Sequence, residues 1–475
     1  MRRLQLPLLH MSDECVGVVF IHRHGARGVV GSTLRKLLSV GAHAGGNAAS
    51  GWAEDELEEM TPVGLEQMRE LGRWLALRYL PGLGCGSASR FVQAPPKWRS
   101  STTKRVVDSG SALMTALAEA LPSVAVPSAP APYRSDAEVD FVFRNWHTDG
   151  GYLSAIRELR ESAGMAAAAV KVRPELDALY GVLLGAAPPL EEGALHDSTG
   201  DAALGRRLFQ CTYLLELLSC EMYWPATAAA LRNGLVARPS DVEEAALMPP
   251  AAGRGAGATV GVAGPPTSCS GGGGHDATSS STPPGRLKAN LLRRLSPLRE
   301  QWLRSTARWV WEQRFLASTL TRPFGGVLGG AIVAEALVDL GAAAAVDRVM
   351  SGVPTLSIYS AHDYTLLSIL AALRVAHHPA ACIEFGAFIA FELWRPIGEK
   401  GTTGASVTIR MCADPFSSAR EGLPTALSTA GMHTVCEGVA FSALTNMAKK
   451  WPTWKAGEGA APGPLAPSET PVEEE

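Results

Sequence analysis

The sequence predicts an α/β protein: a mostly parallel sheet flanked by helices, with an inserted mainly helical cap. Three observations predict it. Residues 15–21 (C-V-G-V-V-F-I) form a continuous apolar run of the kind that makes a strand buried on both faces, and the run stops abruptly at His22-Arg23-His24-Gly25-Ala26-Arg27. Strand-like and amphipathic helical patterns then alternate on either side of a long helical block. A change of periodicity marks a second strand at residues 355–359 (T-L-S-I-Y), which leads through Ser360-Ala361-His362-Asp363 into another helix. Two polar turns therefore stand at carboxyl ends of strands, where open α/β sheets bind ligands.

Taken in order, Thr61 suits a helix cap and Pro62 the first helical position, and Leu65, Met68, Leu71, Leu75 and Tyr79 recur on one face. Phe91-Val92 reads as a short strand. Residues 101–121 read as a helix with Val106, Gly110, Leu113, Leu117 and Leu121 as its buried stripe. From Tyr133 to Gly341 the pattern is mostly helical, clearest over Leu204, Leu208, Cys211, Leu215 and Leu218 and again over residues 302–316. Residues 251–285, rich in Gly, Ser, Pro and Thr, read as a disordered insertion, since that composition buries too little apolar surface to offset its ordering entropy. Leu366, Leu367, Leu370 and Leu373 mark the helix after His362-Asp363, and residues 388–394 and 406–411 read as an edge hairpin. The expected division is a discontinuous core of residues 14–135 and 342–450, a cap of 136–341, and a disordered acidic tail of 456–475.

Composition limits what the turns can do. With 475 residues, 46% hydrophobic and 19% charged, the chain can bury a large core. A net charge of -3 gives no reason to expect nucleic acid or an anionic membrane as partner, so any anion site must be a local cluster of cations. The eight cysteines are dispersed, without a C-x-x-C pair or zinc-finger spacing, and a metal is not expected as the working group. The most apolar later stretch, residues 327–345, carries Glu335 and Asp339 with amphipathic spacing, which argues against a membrane span. The short apolar run in residues 1–10 is interrupted by Pro7 and followed by Ser12-Asp13-Glu14, too short for a secretory segment, and a cytoplasmic location is expected.

A phosphate monoester carries about two negative charges and needs donors converging from several directions, a task that suits arginine, whose planar fork donates in pairs and stays charged. Arg23 and Arg27 flank His24, and Gly25 between them lets the backbone bend close to a ligand. A neutral imidazole there can attack phosphorus and divide the transfer into two steps. Asp363 is the candidate proton donor for the leaving oxygen: nearby negative oxygens favour its protonated form and nearby arginines oppose it. His362 adds a donor to the phosphate when protonated. Each feature alone is weak: the R-H-G tripeptide reads as a solvated turn, the His-Asp pair as a helix cap, and Arg105 as a surface charge. Their joint occurrence in one context is what points to a site.

The chain resembles the histidine acid phosphatase family, of the phosphoglycerate mutase-like fold in the histidine phosphatase superfamily. Arg23-His24-Gly25-Ala26-Arg27 is similar to its R-H-G-x-R motif, and residues 60–67 (M-T-P-V-G-L-E-Q) to L-T-x-x-G-x-x-Q. Residues 99–109 (R-S-S-T-T-K-R-V-V-D-S) look like R-S-T-x-x-x-R-x-x-x-S, and Tyr359-Ser360-Ala361-His362-Asp363 matches Y-S-x-H-D ahead of a family-like Phe391-Glu392-Leu393-Trp394 strand. The resemblance covers the two ends of the chain and hardly touches the middle. It implies His24 as nucleophile, Asp363 as proton donor, and Arg23, Arg27, Arg105 and His362 as the phosphate pocket, with no cofactor. It also implies hydrolysis of a phosphorylated small molecule, whether a generic monoester, lysophosphatidate or an inositol phosphate, with an acidic optimum. Val29 stands where many members have proline, and oligomeric state stays open. Two other readings are a non-catalytic phospholigand-binding or scaffold protein that keeps the pocket, and a mutase-like transfer between positions of one metabolite.

Overall fold

A computed structural model of the chain describes residues 13–31, 52, 56–79, 95–120, 126–131, 150–184, 198–236, 238, 240, 291–318, 321–345, 355–375, 383–421 and 423–450. Phe91-Val92, the expected insertion at 251–285 and the expected tail at 456–475 lie outside the described residues. In chain order the elements are β1 (Asp13–Arg23), α1 (Pro62–Tyr79), β2 (Lys97–Ser100), α2 (Lys104–Ala120), α3 (Gly150–Glu161), α4 (Ala163–Lys171), α5 (Arg173–Leu184), α6 (Ser198–Met222), α7 (Pro225–Arg232) and α8 (Pro297–Glu312). A π-helical turn (Gln313–Ala317) continues α8; then come α9 (Arg322–Ala345), β3 (Leu356–Ala361), α10 (Asp363–Ala372), β4 (Phe388–Pro396), β5 (Ser406–Cys412), a 3₁₀ turn (Ser417–Glu421), β6 (Met432–Ala440) and α11 (Phe441–Ala448).

The described strands form one sheet in the order β2-β3-β1-β4-β5-β6. Helical segments lead from β1 to β2 and from β2 to β3, and these strands run parallel, Val18 facing Leu356 and Lys97 facing Ser357. The later strands follow one another without a crossover helix, so β4 to β6 run antiparallel, and β4 is also antiparallel to β1. The α/β class with flanking helices is as expected, and the sheet is mixed, with two parallel and three antiparallel pairs. The β4–β5 pair forms as the sequence indicates; it does not lie at the edge, because β6 pairs beyond it.

Strand β1 is central and buried on both faces, as its apolar run requires. Val18 and Phe20 pack into a layer with Met68, Leu71 and Leu75 of α1 and Leu113 and Leu117 of α2. Val19 and Ile21 face the opposite layer, where α9 and α10 contribute Val333, Leu340 and Ile369. Thr61 caps α1 as expected, its Oγ1 accepting from the Gly64 amide at 2.9 Å ahead of Pro62–Tyr79.

The expected boundary between cap and core, 341/342, falls inside α9, which runs on to Ala345 and packs on β1 and α10. This helix is long and apolar enough to cross a membrane, with a mean hydropathy of 1.7, yet most of it is buried in the molecule. Its acids are used by the sheet: Glu335 pairs with Arg99, and Asp339 pairs with Lys97 at 2.7 Å and accepts from the Tyr359 hydroxyl at 2.8 Å. In the helical block α6 packs against α3, α4 and α8. Its end meets the core where Ser219 Oγ donates to Glu384 at 3.0 Å and Tyr223 sets its ring edge-on to Phe385.

Candidate active site

The first turn is held open by the second and third motifs. Residues 24–28 are held partly by backbone bonds, His24 to Ala361 and Gly386 and Gly28 to Glu59, and partly by side chains of Thr61, α1 and α2. The Ala26 amide donates to Gln67 Oε1 at 3.0 Å, while Gln67 Nε2 donates to the Pro424 carbonyl at 2.8 Å. Thr61 Oγ1 donates to the Ala26 carbonyl at 3.1 Å, and the Gly25 amide donates to Ser109 Oγ at 3.1 Å. Gly25 and Gly64 pass so close that a Cβ on either would run into backbone of the other turn. That contact accounts for a glycine in both motifs, and Thr61, Gln67 and Ser109 gain a positioning role that no single motif discloses.

One hydrogen bond defines the state of His24. Its Nδ1 lies 2.9 Å from the Gly25 carbonyl, and a carbonyl can only accept, so Nδ1 carries the proton. Burial, reinforced by the charges of Arg23, Arg27 and Arg105, holds its pKa well below the usual histidine value. The ring is therefore neutral, with the lone pair on Nε2.

The predicted site residues come together around this ring. Arg23, His24, Arg27, Arg105, His362 and Asp363 all line one cavity of about 200 Å³. The rings of His24 and His362 meet edge to face with centroids 5.8 Å apart. Arg23 Nη2 pairs with Asp363 Oδ2 at 3.0 Å, and its Nη1 donates to the Ile383 carbonyl. Its guanidinium lies over the Phe385 ring at 4.5 Å. Arg27 pairs with Glu216 of α6 at 2.9 Å, and Arg105 with Glu58 at 3.1 Å. Glu216, Glu58 and Phe385 were not singled out from the sequence. None sits in a motif, and only the fold brings them to the arginines.

Asp363 opens α10 and accepts from the Tyr364 amide at 2.7 Å. Burial alone would raise its pKa; Arg23 and that amide outweigh it, and the carboxyl sits below its ordinary value. The contest left open by the sequence goes to the arginines in the ligand-free protein. His362, like His24, is neutral, because burial and then Arg105 pull its pKa to about 3. A neutral imidazole still offers one N–H, and His362 Nε2 lies 3.2 Å from Ser101 Oγ.

A third buried histidine, His22, braces the turn from behind. Trp98 Nε1 donates to Ser360 Oγ at 3.1 Å, Ser360 donates to His22 Nε2 at 2.9 Å, and His22 Nδ1 donates to the Arg23 carbonyl at 3.0 Å. Burial lowers the His22 pKa from 6.5 to about 4, opposed in part by its bond to the Arg23 carbonyl. Between those values the unfolded chain binds a proton that the fold does not, so stability falls as the pH drops through the window. His362 acts in the same direction. The loss from His22 alone should approach about 3 kcal/mol at the acidic end, at about 1.4 kcal/mol per pH unit. Urea unfolding at stepped pH checks this: the midpoint should fall on acidification, and His22→Gln should flatten the dependence. An unchanged wild-type midpoint contradicts it.

Among the described residues no group of three or more His, Cys, Asp or Glu is placed to hold a metal ion. Residues 14–149 match the family model described as histidine phosphatase superfamily (branch 2), a span that contains the first three motifs. The resemblance carried by the motifs is shown by that match. No curated protein matches the chain. Among solved structures the fold is similar to Hafnia alvei phytase in complex with myo-inositol hexakis sulphate, at 13% identity and a TM-score of 0.56, covering 93% of this chain and 98% of that one. It is also similar to Klebsiella sp. ASR1 phytase, at 14% identity and a TM-score of 0.52, covering 96% and 97%. Citrobacter braakii phytase matches at 13% identity and a TM-score of 0.52, covering 92% and 98%. At these identities the likeness is one of fold.

Proposed function

We propose that the protein is a phosphomonoesterase that hydrolyses phosphorylated small molecules through a phosphohistidine on His24, with Asp363 as proton donor. In this reading the catalytic core is built from residues 14–135 and 342–450 together with α9, which packs on β1 and α10, and the cap is drawn from the rest of 136–341. The observation that carries the proposal is the protonated, carbonyl-bound Nδ1 of a neutral His24, whose ring lines a cavity with three guanidinium groups.

The Nε2 lone pair attacks phosphorus, and the bond to the leaving oxygen breaks with its electron pair staying on that oxygen, which takes a proton from the Asp363 carboxyl. Water then attacks the phosphohistidine; the P–N pair returns to Nε2, and Asp363 takes the proton from water. Arg23, Arg27 and Arg105, with the His362 N–H, neutralise the transferring oxygens throughout. Asp363 begins the cycle as a carboxylate paired with Arg23. The phosphate draws that guanidinium to itself and adds negative charge of its own, and both changes raise the carboxyl pKa. The proton arrives on the monoanionic substrate or from solvent.

Phosphate release from simple monoesters, measured from about pH 4 to about pH 8, tests the function. Activity should rise as the pH falls through about 6, the second ionisation of a phosphate monoester. Calorimetric binding of phosphate esters with no phosphate release at any pH would favour the non-catalytic reading.

A further inference from the structure

We infer that the site selects monoesters with a single phosphate on a flat, aromatic leaving group, and disfavours substrates bearing several phosphates. The inference rests on the hydrolytic reading above and concerns the outer part of the same cavity. The described lining holds four guanidinium groups, from Arg23, Arg27, Arg105 and Arg314, against three carboxylates, from Glu216, Glu384 and Asp363, while His24 and His362 are neutral. Three of the four cations are taken by the phosphate being transferred. Among the described lining residues Arg314 is the cation left for the rest of the substrate, and Glu216 stands beside Arg27 with a like charge toward any second phosphate. Glu384 is held by Arg304 outside this lining, while Asp363 and Glu216 take up Arg23 and Arg27, so a polyphosphorylated ring would bring more dianions than the described cations can partner, and desolvating them without partners is costly.

The described lining also offers aromatic surface. Tyr213, Trp311 and Tyr364 line the cavity, and the Tyr364 ring stacks on His362 at 4.8 Å with an interplanar angle of 13°. Trp311 stacks on Phe315 at 5.2 Å, and the Arg314 guanidinium lies 5.2 Å from the Trp311 ring centre and 4.9 Å from that of Phe315. Arg314 Nε also donates to the Tyr152 hydroxyl at 2.5 Å. The π-helical turn at Gln313–Ala317 carries Arg314 and Phe315; such turns recur where a helix is adapted to a functional site. Tyr213, Trp311 and Tyr364, two of them held by a stacked neighbour, give the cavity aromatic lining that an aromatic leaving group can pack against without needing further charge.

Steady-state kinetics of the full chain, with phosphate release as readout, separates these ideas. The substrates are phenyl phosphate, glycerol phosphate and inositol hexakisphosphate, and the enzymes are wild type, Trp311→Ala and Glu216→Gln. The wild type should show a KM at least about 10-fold lower for phenyl phosphate than for glycerol phosphate, the worth of one good aromatic contact. Trp311→Ala should erase most of that difference with little change for glycerol phosphate, and Glu216→Gln should improve kcat/KM for the hexakisphosphate relative to phenyl phosphate. Equal or better kcat/KM for the hexakisphosphate in the wild type would overturn the inference and leave the hydrolase reading intact. So would a Trp311→Ala variant that loses both monoesters equally. Absence of phosphate release from all three would remove the hydrolase reading and this inference with it.

Discussion

His24→Ala is expected to abolish phosphate-monoester turnover, with kcat down on the order of 10⁶-fold, the scale seen when a covalent nucleophile is removed from machinery that acts as a unit. The expectation follows from how little else in the cavity can attack phosphorus. His362, the other imidazole, is neutral, but its Nε2 is engaged with Ser101 and its ring is stacked on Tyr364. Among the described cysteines, Cys220 feels the charges of Arg27 and Arg23, but it is fully buried, and burial pushes its thiol up to about 12. The variant should keep its fold, because the peptide at position 24 is held by backbone bonds, its amide to the Ala361 carbonyl at 3.1 Å and its carbonyl to the Gly386 amide at 3.1 Å. Circular dichroism and an unchanged affinity for inorganic phosphate would separate lost chemistry from lost structure. Full activity in the variant would end the proposal.

Asp363→Asn is the second large effect, a fall in kcat of about 10²- to 10⁴-fold, the usual worth of a general acid. Its size should depend on the leaving group. An alkyl alcohol needs the proton at the moment the P–O bond breaks and should suffer most; a nitrophenol-type leaving group departs as an anion and should suffer least. Asparagine can still accept from the Tyr364 amide but loses the charge that pairs with Arg23, so phosphate binding should not weaken. The rise in activity toward acid should flatten with the alkyl substrate. An equal loss for both leaving groups would assign Asp363 to positioning Arg23 instead.

Both effects reside in parts of the molecule that were legible in the sequence, and the reason is local. Strand β1 and the turn after it show a buried apolar run next to a run of polar residues, a contrast that any strand ending at a ligand site must display. The caps of α1 and the stripe of α2 follow from neighbouring residues as well. What escaped is non-local. Strand β2 (K-W-R-S) is short and polar because it lies at the sheet's end, and its cations are matched by acids on α9, more than two hundred residues away. Strand β6 is mostly exposed and has no clean alternation for a pattern to detect. The mixed sheet reflects how β4, β5 and β6 connect, which hydrophobic runs do not encode. In the site, Glu216 gives no local signal on a 25-residue helix, and its meaning arises only where α6 reaches Arg27. The ionised state of Asp363 likewise depends on a guanidinium from another strand end.

The account turns on phosphorus becoming bonded to one imidazole nitrogen. The most direct measurement is to mix the protein with ³²P-labelled phenyl phosphate, stop the reaction within the first turnover by alkaline quench, which spares P–N bonds, and map the label by peptide digestion. One phosphoryl group on the peptide containing His24, discharged on a longer chase and absent from His24→Ala, is the predicted result. Steady phosphate release with no label on that peptide, or with label on another residue, would contradict it.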